Sequence, residues 1–174
     1  MRAPYSLLVL CVAVLLTAPA CGASSRSSSD GSSSAQDRTL SETRALMLIG
    51  DVLAEQGVSR GALWVVPVGH GQELEVDIRL ASSSFGIEWM SPQDREDLGE
   101  AIPGPTDDGR LRIVPGFGEG HTDDQVLILE HTTYDFVNER EHVQAGRAGA
   151  RETEERLRRD VIDFVHYVQG QGGI

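Results

Sequence analysis

The chain has no lysine: all 15 of its basic residues are arginine. A Walker-type phosphate loop, which needs a lysine behind its glycines, is excluded, as is any lysine nucleophile or base. The Gly-x-Ser-x-Gly elbow of serine hydrolases is also missing, and the serines sit in a low-complexity tract or in the turn-like run Ser82-Ser83-Ser84. Positive charge is scarce overall, with a formal net charge of −12. Each phosphate contact needs a cation, so this balance argues against nucleic acid and anionic lipid head groups as partners. No apolar run reaches the roughly 20 residues of a spanning helix, since the stretch from Tyr5 to Ala20 is shorter and ends in Pro19.

That stretch has a different meaning. Arg2 followed by the apolar run Leu7 to Leu16 and the small residues Ala18-Pro19-Ala20 has the layout of a signal peptide covering residues 1–20. An ordinary signal peptidase and a lipoprotein signal peptidase would cut at the same bond, before Cys21. Only two cysteines occur, and Cys11 leaves with the signal. Plain secretion would therefore export one unpaired terminal thiol, whereas lipidation uses it. Ala18-Pro19-Ala20-Cys21 resembles the lipobox of bacterial lipoproteins, although leucine is usual where Ala18 stands. The resemblance implies a diacylated Cys21 anchored in a bilayer of the cell envelope. Gly22, with no aspartate beside the cysteine, further implies sorting to the outer membrane.

Residues 21–36 carry eight serines and almost nothing apolar, too little to offset the entropy of ordering them. They read as a tether with a reach of roughly 20 Å. The remaining residues, 37–174, suffice for one globular domain.

Within that domain Thr39 to Glu42 has the spacing of a capping box, and Leu46, Ile49, Val52 and Leu53 follow at helical intervals up to Gly57. Ala62 to Val68 reads as a buried strand. After the turn Gly69-His70-Gly71, the residues Leu74, Val76, Ile78 and Leu80 alternate with Glu73, Glu75, Asp77 and Arg79. This is the pattern of one strand with a core face and a wet face. Phe85, Ile87 and Trp89 continue the alternation in a third strand. Ser91-Pro92 starts a short helix, "RLRIV" and "QVLILEHTTYDF" supply two more strands, and Arg151 to Gln169 forms an amphipathic helix. The order α-β-β-β-α-β-β-α with short turns predicts an α+β fold, an antiparallel sheet of about five strands with helices on one face. Over Leu40 to Gln169 this order is similar to that of type III secretion chaperones and YbjN-like domains, which implies a role in binding other proteins.

The pattern holds no catalytic constellation and calls for no cofactor. The densest polar cluster is the loop after "GFGEG", where Glu119, His121 and Asp123, with His131 downstream, could ligate a divalent cation if the hairpin folded back on itself. Two function classes follow. One is an envelope-anchored lipoprotein presenting a small, acidic, non-enzymatic domain to a protein partner. The other is a metal-dependent envelope hydrolase built on the region from Glu119 to His131.

Overall fold

The computed structural model describes residues 40–105, 110–136 and 143–174, with side chains in the last segment from residue 149 onward. The expected signal peptide of residues 1–20, the expected lipidation at Cys21 and the expected tether of residues 21–36 lie outside these residues. The domain is α+β, and its elements run α1 (Glu42–Glu55), β1 (Trp64–Pro67), β2 (Glu73–Val76), β3 (Ile78–Arg79), β4 (Phe85–Met90), α2 (Pro92–Leu98), β5 (Ile113–Pro115), β6 (Gln125–Glu130) and α3 (Val143–Gly170).

The single antiparallel sheet of about five strands is not what forms. β1 and β2 make a two-stranded antiparallel hairpin, and a separate four-stranded sheet has the order β3-β4-β6-β5. Within it β4 and β6 are parallel, with Phe85 opposite Gln125 and Met90 opposite Glu130. The reason lies in the connection: α2 and β5 intervene between the two strands, and a crossover of that length returns the chain in the same direction.

The alternating run from Glu73 to Leu80 is also divided. Its first half pairs with β1 and its second half with β4, with the break at Asp77. Leu74 and Val76 accordingly enter one core, while Ile78 and Leu80 enter another. These two cores lie on opposite faces of the four-stranded sheet. On one face Phe85, Ile87, Trp89, Leu127 and Leu129 pack against Ile49, Val52 and Leu53 of α1 and Leu157, Val161, Phe164 and Val165 of α3. On the other, Met90, Val126 and Ile128 pack against Val66, Val68, Leu74 and Val76 of the hairpin. The long helices do share one face, as the amphipathic stripes predict, but the second face is roofed rather than wet.

Gly86 is what lets the roof down. A Cβ there would lie 2.7 Å from Val76 and 2.9 Å from the Trp64 ring, so any side chain would lift the hairpin off β4.

The helix starts follow local chemistry. Ser41 rather than Thr39 caps α1, its hydroxyl accepting from the Arg44 N–H at 3.4 Å. The full reciprocal box occurs at α2, where Ser91 and Asp94 exchange side-chain and backbone bonds and Pro92 occupies the first turn. α3 begins at Val143, eight residues before the Arg151 start that the sequence pattern predicts. Arg44 clamps α1 to α3 through a two-pronged bond to Glu154, at 2.8 and 2.9 Å.

Candidate functional site

The four residues considered as metal ligands are not brought together. Glu119, His121 and Asp123 lie in the loop joining β5 to β6, and His131 follows β6 at its far end. Six strand residues separate them, about 20 Å at 3.3 Å per residue. Glu119 and Asp123 face solvent. The His121 Nδ1 lies 2.7 Å from the Asp124 carboxylate, and the His131 Nδ1 lies 3.1 Å from the Met90 carbonyl. Among the described residues no group of three or more His, Cys, Asp or Glu could hold a metal ion.

The loop is also not the loose connection its glycines suggest. Gly116 N–H donates to Asp124 O at 2.8 Å, and Phe117 N–H donates across to Pro67 O at 2.8 Å. Gly116 is required here because a Cβ would sit 2.4 Å from the His121 carbonyl oxygen.

Three other places gather polar or exposed groups. The first is the carboxyl end of β6. Glu130 is only 4 % exposed, and its carboxylate receives the Arg95 guanidinium on both oxygens and Arg112 on one, the last at 2.8 Å. Burial alone would raise its pKa. The hydrogen bonds and charges of the two arginines outweigh that and hold it below the ordinary glutamate value. Both arginines are held in turn, Arg95 by Ile102 O and Arg112 by Pro103 O, each at 2.6 Å.

Beside this cluster, Arg112, Leu129, Tyr134, Arg156 and Asp160 line a cleft of about 390 Å³. Tyr134 donates to Asp160 at 2.6 Å, and Arg156 donates to Thr133 O at 2.8 Å. Burial, followed by the Asp160 charge, lifts the Tyr134 phenol far above its ordinary range, so the hydroxyl keeps its proton and donates it in the bond to the Asp160 carboxylate.

The second place is the strand break. Asp77 N–H donates to Glu88 Oε2 at 3.0 Å, and the Asp77 carboxylate accepts from Trp89 N–H at 2.8 Å. Two side chains thus replace ladder bonds where the strand changes partner. Asp77 therefore does more than wet the surface, which is the role its outward phase suggests. Glu88 is buried, and burial followed by the Asp77 charge pushes it up to about 9, so it keeps its proton at neutral pH. Burial raises Asp77 as well, against the opposing bond from Trp89. Glu88 is buried while Asp77 stays exposed, and neither residue lines the cleft beside Glu130. It is a device of the fold.

The third place is the outer side of the hairpin. Leu63 is 85 % exposed, Phe117 65 % and Val65 45 %. Met47 on α1 and the C-terminal Ile174 are exposed as well, but Leu63 and Val65 lie two residues apart along the hairpin, and Phe117 is bonded to it through Pro67 O.

Sequence reasoning met Glu130 only within the polar region from Glu119 to His131, and Asp77, Glu73 and Glu75 only as the wet face of one strand, though each place left a trace. A lone acid inside "FGIEWM" and another ending "QVLILE" mark buried carboxyls that must find partners. The unpartnered apolar residues Leu63 and Phe117 stand just outside their strands. No family model, characterised protein or solved structure matches the chain.

Proposed function

We propose that the protein is a lipid-anchored component of the bacterial envelope whose globular domain binds another protein and carries out no chemistry of its own. The observation that carries this reading is the group of apolar residues Leu63, Val65 and Phe117 left in water at the hairpin. Supporting it, the buried acids Glu88 and Glu130 and the Tyr134 hydroxyl are all engaged by neighbours in the fold. Acylation of Cys21, in keeping with the lipobox-like Ala18-Pro19-Ala20-Cys21, would hold the domain to a bilayer through the tether of residues 21–36.

The test is a photo-crosslinking amino acid placed in living cells at Val65, with Glu152 on α3 as the comparison. A discrete adduct to a second protein from position 65 and none from 152 supports the reading, and no adduct from 65 refutes it. Fractionation of the Cys21→Ser chain tests the anchor separately, since release from membranes is expected and unchanged membrane association would remove that half of the reading.

A further inference from the structure

The outer face of the hairpin carries a specific chemistry. Val65 stands opposite Glu75 and Pro67 opposite Glu73. The same register, which continues to Arg60 opposite Leu80, keeps Leu63 in phase with Val65 and Pro67. Phe117 is fastened beside Pro67 by its N–H. Glu73 and Glu75 are exposed, so a row of apolar groups runs beside a row of carboxylates. Arg79, the first arginine after the hairpin, is stacked 4.9 Å over the Trp64 ring and donates to Ser83 O at 2.7 Å.

The backbone adds a direction. Val68 N–H bonds Gln72 O inside the hairpin, whereas Pro67 O, one residue earlier, accepts from Phe117 on the outer edge. Val65 shares the phase of Pro67, so its N–H and C=O also point to the outer edge, away from β2.

We propose that this face docks an extended segment of a partner protein in which apolar side chains alternate with arginine or lysine. The apolar groups would cover Leu63, Val65 and Phe117, the cations would reach Glu73 and Glu75, and the segment's backbone would lie along β1. The inference rests on the protein-binding reading above and specifies the partner's chemistry. Charge separates this occupant from two others. A second copy would bring the same carboxylates on a chain of net charge −12, and an anionic bilayer would bring phosphates.

The test uses the full chain and a dye-labelled eight-residue peptide of alternating leucine and arginine, read by fluorescence anisotropy. Control peptides carry glutamate for arginine or serine for leucine. The leucine–arginine peptide is expected to bind and both controls to fail. Glu73→Gln with Glu75→Gln should weaken binding about fivefold and flatten its salt dependence. Val65→Ser or Phe117→Ser should abolish binding, with unchanged circular dichroism confirming the fold. Glu96→Gln with Glu100→Gln, exposed acids elsewhere, should leave it unchanged.

Equal weakening by the two charge variants, or equal binding of the glutamate peptide, would overturn the proposal. So would self-association removed by Val65→Arg, or attachment of the Cys21→Ser chain to phosphatidylglycerol vesicles removed by Phe117→Ser. Those last two outcomes would assign the strip to a second copy or to the bilayer. If position 65 crosslinks a protein in cells while the peptides discriminate nothing, the protein-binding function stands and this partner chemistry fails.

Discussion

Glu88 and Glu130 occupy neighbouring parallel strands, point to the same face of one sheet and are each 4 % exposed. They nevertheless hold opposite protonation states. Glu130 meets two arginines and stays ionised, while Glu88 meets Asp77 and keeps its proton. Equal burial therefore does not decide the charge of a carboxyl group. What decides it is whether the elements converging on that end of the strand bring a cation. α2 and the segment entering β5 bring Arg95 and Arg112 to the carboxyl end of β6, whereas the strand break beside the middle of β4 brings another acid.

The largest expected effect breaks the ionised member of this pair. Glu130→Ala leaves two partly buried arginines without their anion and should destabilise by about 3–5 kcal/mol in chemical denaturation. A loss below about 1 kcal/mol would mean that the arginines relax freely into solvent.

The second prediction concerns pH. Glu88 has an ordinary value of 4.5 and a folded value of about 9. Below the lower value both folded and unfolded chains are protonated there, and nothing is lost. Between the two values the unfolded chain ionises and the folded one does not, so this group lowers stability by about 1.4 kcal/mol per pH unit as pH rises. Glu130, lowered in the fold, acts in the opposite sense, and its contribution is lost as pH falls through the acidic range. The Glu88 contribution should therefore lower denaturation midpoints progressively from pH 5 to 9, and Glu88→Gln should flatten that limb. An unchanged limb in the variant would show that Glu88 is ionised in the native state.

A smaller effect is expected for Asp77→Ala, which removes the acceptor of Trp89 N–H and should cost about 1–2 kcal/mol. The same change removes the like charge beside Glu88 and lowers its folded value, so the fall in stability should end at a lower pH and be smaller in total. Both quantities come from the same denaturation series, and a cost without the shift would uncouple the two carboxyls. Least of all, Glu75→Gln on the exposed outer face should change stability by less than about 0.5 kcal/mol, whatever it does to binding. A larger thermal shift would place Glu75 among the fold's structural acids.

Much of this fold was legible in the sequence where a single period dominates. The helical spacing of Leu46 to Leu53, the Ser91-Pro92 start and the strand at Phe85 to Trp89 all appear close to where their patterns put them. The pairing was not legible, because alternation shows which face is apolar and not which strand lies alongside. From Glu73 to Leu80 the alternation is unbroken, yet Asp77 sends its halves to different sheets. The two-sided burial of β4 was hidden by Gly86 and Glu88, which read as the wet positions of a half-buried strand. The polar loop at Glu119 to Asp123 drew attention through composition, and the fold spends its histidine on Asp124. The Glu130 cluster was illegible because its arginines are 35 and 18 residues away along the chain.

The parallel pairing of β4 with β6 has a consequence for how the chain reaches its native state. Phe85 finds Gln125 only after the intervening residues, α2 and β5 among them, have been gathered in, so the four-stranded sheet closes through contacts distant in sequence. The β1–β2 hairpin needs only the short turn at Gly69–Gly71 and can form on a microsecond scale. Its apolar underside, Val66, Leu74 and Val76, then waits uncovered for a sheet that assembles more slowly. The early-forming part of this protein is thus also the part most open to intermolecular capture while the slow contacts are made. A chain of this design places its greatest aggregation hazard in the interval between those two events.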